Sequence, residues 1–248
     1  LFCEGFHIDV LGPVSPNGYN GHRYILAIVD DYTSYVWVYK MKTKDEVYGL
    51  LDTFVKKMIN QSSRKIESIY VIKRVRTDGG REIINKALTA LCETYGILLQ
   101  VSNAYCHEEN GLPERFFQTL FQKIRAALIG STLGWRFWSD AAEHVACTYN
   151  ITLNERYGTS PYERAYGKAP DLSWIQAFGV RCFTFEPEER RDNKKLSPRA
   201  LECRLLGYAT DRLGFKLWQL RDSKVEFSRN VTFTLSDYEN LANLSFTQ

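Results

Sequence analysis

Along the first hundred residues the apolar positions change period several times, and each change marks an element. The run FHIDVLG at 6–12 alternates enough for a first strand. HRYILAIVDDYTSYVWVYKMK at 22–42 is rich in β-branched and aromatic residues and is broken at Asp30 to Ser34, which predicts an antiparallel hairpin. In KDEVYGLLDTFVKKMIN at 44–60 the apolar residues fall at 47, 50, 51, 54, 55 and 58, the spacing of one helix face. ESIYVIKRVRT at 67–77 returns to strand character, and REIINKALTALCETYG at 81–96 is a helix closed by Gly96. ILLQVS at 97–102 is a further strand, and helices follow from Pro113 to about Asn150. The order predicts an α/β fold: a mixed sheet flanked by helices.

The pattern then changes. Residues 151–175 hold Gly158, Pro161, Gly167 and Pro170 and read as a connector with a short helix at 161–166. From Phe178 come short strands, VRCFTFEP, ECRLLGYA, GFKLWQL and KVEFSRNVTFTL, at the spacing of a small antiparallel β-barrel. EPEERRDNKK at 186–195 is expected to be a solvated loop. The chain therefore divides into a core at 1–150, a connector at 151–175, a barrel at 176–236 and a tail at 237–248.

Composition changes this picture little. At 248 residues and 44% hydrophobic the chain can bury a real core. Its net charge of +3 is compatible with nucleic acid but does not select it. No run of 18 apolar residues is present, so no helical membrane span is expected. No charged and then apolar leader opens the chain, which starts at Leu1 and is expected to be a fragment or a processed piece of a longer polyprotein. The six cysteines lack a C-x-x-C pair, which points to neither a zinc site nor a disulfide framework and favours a reducing compartment. The N-x-S/T sequons at Asn60, Asn150, Asn230 and Asn243 are read as chance.

Three carboxylates carry the candidate chemistry. Asp9 lies inside the first strand, where a charge is expensive unless compensated, although an edge strand would also explain it. Asp78 follows a strand and precedes Gly79-Gly80, which also suits an ordinary turn. Glu114 stands in the first turn of a helix opened by Pro113, where acid offsets the positive end of the macrodipole. Taken together they read differently. Thirty-five residues separate Asp78 from Glu114, room for a helix, a strand and a loop. Three carboxylates on one rim repel unless a divalent cation sits between them, and oxygen-only ligation favours Mg²⁺ or Mn²⁺.

HIDVLGP, ILAIVDDYTSYVWVYKMKTKDEV, VRTDGGREI and ENGLPERFFQTL resemble the catalytic core of the copia-type retrotransposon integrases, relatives of retroviral integrase. PYERAYGKAPDLSWIQAFG, KLSPRALECRLLGYATDRLGFKLW and VEFSRNVTF resemble the SH3-like module that follows that core in the polyproteins. The resemblance implies a ribonuclease-H-like sheet with an SH3-like barrel, and Asp9, Asp78 and Glu114 as metal ligands. It implies DNA strand transfer as the reaction, with a 3′-hydroxyl of element DNA attacking a target phosphodiester. DNA contacts are expected at Asn110, Gly111 and Arg115, continued along the helix by Lys123 and Arg125, which could equally be a solvated face. The implied assembly is a homo-multimer on element and target DNA, in cytoplasmic virus-like particles and then in the nucleus.

The chain also departs from the family pattern. His107-Glu108-Glu109 replaces the usual Pro-Gln-Gln before Asn-Gly, and Gln118 stands where arginine is common. Phe116, Phe117 and Phe121 read as core. The upstream zinc module has no counterpart in these residues. A second reading therefore stands beside the first: a degenerate or co-opted integrase remnant that binds nucleic acid without catalysis. Its affinity would come from Arg181, Arg190, Arg191, Lys194, Lys195, Arg199 and Arg204.

Overall fold

A computed structural model describes residues 2–62, 72–78, 82–102, 111–191, 193, 196–209 and 214–234. The chain falls into two compact units, one of residues 1–123 and 145–173, the other of residues 124–144 and 174–248.

The first unit is built on five strands: β1 (Gly5–Leu11), β2 (Tyr24–Asp30), β3 (Val36–Met41), β4 (Arg74–Asp78) and β5 (Leu98–Ser102). Their order is β3-β2-β1-β4-β5, with β1–β2 and β2–β3 antiparallel and β1–β4 and β4–β5 parallel. This is the mixed sheet expected from the sequence. Ile25, Leu26, Ala27 and Ile28 of β2 are all at 0% exposure, so both faces of this strand are covered. One face packs on α1 (Val47–Ser62) and α2 (Glu82–Tyr95): Phe6, Ile8 and Val10 meet Leu51, Phe54, Val55, Met58, Leu88 and Leu91 in one cluster. The helix period read at 47–58 is the buried stripe of α1, and a 3-10 turn at Lys44–Glu46 leads into it.

Two boundaries differ from expectation. Within the strand expected at 67–77, residues 67–71 lie outside the described residues, and Lys73 and Arg74 hand their N–H groups to Glu4 O. Helix α3 (Gly111–Gly130) starts before Pro113, so Gly111 belongs to the helix rather than to a loop. A proline in the first turn costs no hydrogen bond, because the first four N–H groups have no intrahelical partner.

Helix α4 (Trp138–Ile151) ends in this unit, where Asn150 is buried and its amide pairs with both backbone groups of Val36 at 2.8 Å. The amide thus stands in for a neighbouring strand at the sheet edge, which leaves this sequon without an exposed acceptor. The short helix α5 (Pro161–Tyr166) has the ends its sequence encodes: Ser160 Oγ accepts the Glu163 N–H at 3.1 Å, Pro161 opens it, and Gly167 closes it at φ 69°.

The second unit contains an antiparallel sheet of β6 (Arg181–Phe185), β7 (Ala200–Tyr208), β8 (Phe215–Gln219), β9 (Lys224–Ser228) and β10 (Val231–Phe233), in the order β10-β6-β7-β8-β9. Thr184 Oγ1 donates to Ser228 Oγ at 2.8 Å, tying β6 to β9 across the curl of a sheet consistent with an SH3-like module. Its core is Val180, Cys182, Cys203, Leu205 and Leu217. Cys182 and Cys203 face each other as free thiols, each pushed up to about 12, chiefly by burial.

Candidate active site

Strand pairing runs to two residues short of two of the three candidate positions. β1 and β4 run parallel with Gly5 beside Arg74, Phe6 beside Val75 and His7 beside Arg76. Two residues further along both strands come Asp9 and Asp78. On the other side Asp78 pairs with Ser102 of β5. Asp9 is half-buried, and its Oδ1 accepts the Val10 N–H at 2.6 Å. Glu114 and Arg115 lie in the first turn of α3. The side chains of Asp78, Glu114 and Arg115, and all of Asn110, lie outside the described residues. Among the described residues no three His, Cys, Asp or Glu side chains gather to hold a metal.

Helix α3 shares a cavity with the sheet face that carries His7. Phe116 and Thr119 of α3, with Tyr149 of α4, line a cavity of about 170 Å³ whose floor includes His7 and Asp31. Position 114 lies two residues before Phe116 on the same helix. The donor set is oxygen only, which suits a hard divalent cation better than zinc.

Below the carboxylate positions runs a polar tier that the sequence reading did not anticipate. Asp31, just past β2, has Oδ1 at 2.8 Å from His7 Nε2, and its Oδ2 accepts Arg74 Nε at 3.1 Å and Nη2 at 3.0 Å. Burial alone would raise the Asp31 carboxyl. The His7 contact, the Arg74 hydrogen bond and the charge of Arg76 together hold it below the usual range. Arg76 Nε in turn donates to Gln100 Oε1 of β5 at 2.8 Å. The available signal was a set of opposite charges, His7, Asp31, Arg74 and Arg76, inside otherwise apolar runs.

Gly5 is what lets this tier close. A Cβ there would sit 2.5 Å from Asp31 Oδ2 and 2.8 Å from Arg74 Nε. Gly5→Ala is expected to cost about 2 kcal/mol. Thermal melts of the variant, alone and with Asp31→Ala, check this. The cost should shrink when the carboxylate is gone, and an equal cost in both backgrounds would refute the clash.

Asp30 next to it is a structural acid. Its Oδ1 accepts Cys3 N–H at 2.7 Å, and its Oδ2 accepts Thr33 N–H at 2.8 Å and Thr33 Oγ1–H at 2.7 Å. Burial, aided by Asp31, raises this carboxyl against those hydrogen bonds.

The candidate DNA residues divide. Phe116 and Phe117 are buried, as core residues should be, while Gln118 is exposed. Lys123 is exposed with its Nζ 5.6 Å from the centre of the Tyr149 ring, and Arg125 is exposed. In the second unit Arg181 and Arg204 lie 2.9 and 3.8 Å from Glu202 Oε1. Arg199 is exposed, and the Arg190 side chain, Lys194 and Lys195 lie outside the described residues.

The expectation of a solvated loop at 186–195 fails at its first residue. Glu186 is 2% exposed and takes both arms of Arg221, at 2.6 and 2.9 Å, while Arg191 bonds its carbonyl. A carboxylate can be buried there because a bidentate guanidinium accompanies it.

An integrase core domain model matches residues 4–106, and a retroviral polymerase SH3-like domain model matches residues 180–243. The chain carries an integrase core and a retroviral SH3-like domain. Over 238 residues, 96% of this chain, it is 29% identical to the retrovirus-related Pol polyprotein from transposon TNT 1-94 of Nicotiana tabacum. It is 26% identical over 203 residues, 82% of the chain, to the transposon Ty1-DR4 Gag-Pol polyprotein of Saccharomyces cerevisiae. The chain spans 17% and 12% of the lengths of these two polyproteins. Among solved structures it is similar to the HTLV-2 integrase catalytic core domain in complex with magnesium, at a TM-score of 0.48 and 16% identity, covering 67% of this chain and 98% of that one.

Proposed function

We propose that the chain is the catalytic piece of a retrotransposon integrase, joining element DNA to target DNA with Asp9, Asp78 and Glu114 as ligands of Mg²⁺ or Mn²⁺. The observation that supports this reading is the β1–β4 pairing, which runs to His7 and Arg76, two residues before Asp9 and Asp78 on the same two strands. The integrase core match over 4–106 includes both aspartates.

The reaction is an in-line exchange. The 3′-hydroxyl of an element end gives up its proton as its oxygen forms a bond to a target phosphorus, the bond from that phosphorus to its own 3′-oxygen breaks, and the leaving oxygen takes up a proton. Bound metal would supply positive charge to the attacking and leaving oxygens. The carboxylates would hold it, and Asn110, Gly111, Arg115, Lys123 and Arg125 are proposed to contact DNA. The active form is a homo-multimer on DNA ends, working in cytoplasmic virus-like particles and then in the nucleus.

A second reading, a remnant that binds nucleic acid without catalysis, has one observation in its favour. Gln118 is exposed one turn beyond Glu114, and offers a neutral amide where a phosphate would favour a cation.

Melting curves of wild type and Asp78→Asn, with increasing Mn²⁺ or Mg²⁺, test the site. Metal at about a hundred times its dissociation constant stabilises by about 2.7 kcal/mol, which is roughly 5–10 °C for a unit of this size. The shift is expected in wild type and not in Asp78→Asn. Equal shifts in both proteins, or none in wild type, would remove the metal assignment.

A further inference from the structure

We infer that Arg76 holds the neighbouring carboxylates of Asp9 and Asp78 together in the metal-free protein, and weakens the divalent cation they then bind. The inference rests on the carboxylate reading above.

Alternation along a strand puts positions 76 and 78 of β4 on one face, roughly 7 Å apart, as it does positions 7 and 9 of β1. The pairing of His7 with Arg76, and of Arg76 with Gln100, sets these residues across the sheet as one row. Asp9 and Asp78 occupy the next row on the same face. A cation borne at position 76 therefore lies one row from positions 9 and 78.

Two arginines of β4 could supply that cation, and their hydrogen bonds separate them. Arg74 spends Nε and Nη2 on Asp31, at the end of the sheet away from Asp9. Arg76 gives its Nε to the neutral amide of Gln100 at 2.8 Å. That bond orients the guanidinium without cancelling its charge. Arg76 is half-buried, and its charge already lowers the Asp31 carboxyl on the far side of His7. The charge of Arg76 thus acts beyond its own strand.

Adjacent carboxylates repel, and a fixed guanidinium behind them offsets that repulsion before metal arrives. The same positive charge opposes a divalent cation entering in front. The pair is then held in place when empty but binds metal below its full strength, leaving the remainder of the binding to phosphate oxygens of DNA.

Arg76→Met keeps most of the length and packing of the side chain and removes the charge. Mn²⁺ is expected to bind this variant roughly ten-fold tighter than wild type by calorimetric titration. Its melting temperature should fall in EDTA and recover in saturating Mn²⁺. Arg76→Lys should restore the wild-type affinity. Arg74→Met, in contrast, should lower the melting temperature equally with and without Mn²⁺ and leave the affinity unchanged. If Arg76→Met does not fold, Arg76→Gln provides the same neutral charge in a shorter, polar side chain.

Unchanged or weaker Mn²⁺ binding in the neutral variants, with normal binding in wild type, would overturn the inference and leave the carboxylate site standing. No Mn²⁺ binding in wild type would overturn both.

Discussion

Asp9→Asn is expected to reduce strand transfer by on the order of a thousand-fold while leaving the fold intact. The geometry of Asp9 explains both halves of this. Its Oδ1 accepts the Val10 N–H at 2.6 Å, a bond that an asparagine carbonyl can also accept, so the local backbone keeps its partner. The charge is what disappears, and with it one ligand of the proposed cation. The residue is half-buried, so the neutral side chain also avoids a desolvation cost. Joining of an oligonucleotide end to plasmid DNA in Mn²⁺ measures the activity, and circular dichroism checks the fold. Activity within a few-fold of wild type would remove Asp9 from the site. A wild-type protein that binds metal and DNA but joins nothing would favour the remnant reading.

The second large effect concerns acid and the second unit. His144 is 5% exposed, between the Phe178 ring at 5.5 Å and the stacked Tyr208 ring at 5.6 Å. Burial lowers its pKa from 6.5 to about 4. The unfolded chain therefore takes up this proton near pH 6.5, whereas the folded chain resists until near pH 4. The contribution is complete above the unfolded value and is lost as pH falls through the window between the two. The whole window is worth about 3 kcal/mol, of which about 2 kcal/mol is gone by pH 5. Urea midpoints at pH 7 and pH 5 for wild type and His144→Leu give the test. The wild type should weaken by more than the variant, and equal losses would show that His144 does not titrate in this way.

How much of this was legible in the sequence depends on how far apart the interacting residues lie. The buried stripe of α1 at 47, 51, 54, 55 and 58 follows from spacing alone, since residues three and four apart share a helix face. The ends of α5 follow from Ser160, Pro161 and Gly167, each acting within a turn of its own position. The hairpin of β2 and β3 is set by a local turn whose Asp30 bonds Thr33. Asp78 and Glu114 were visible as candidates because each sits at a recognisable break between elements. The solvated loop expected at Glu186 failed because its partner, Arg221, lies 35 residues away on the far side of two strands.

By itself, then, the sequence determined the elements, the mixed sheet followed by a small antiparallel one, and the carboxylates worth considering. These rest on periodicity and on interactions within a few residues. Tertiary structure alone decided that β1 and β4 run side by side with His7 paired to Arg76, two residues before Asp9 and Asp78. It also decided that Asp31 collects His7 and Arg74 over a glycine, and that His144 is held neutral between Phe178 and Tyr208. Such contacts join residues tens of positions apart, and their partners are chosen by strand register and burial, which no local pattern encodes.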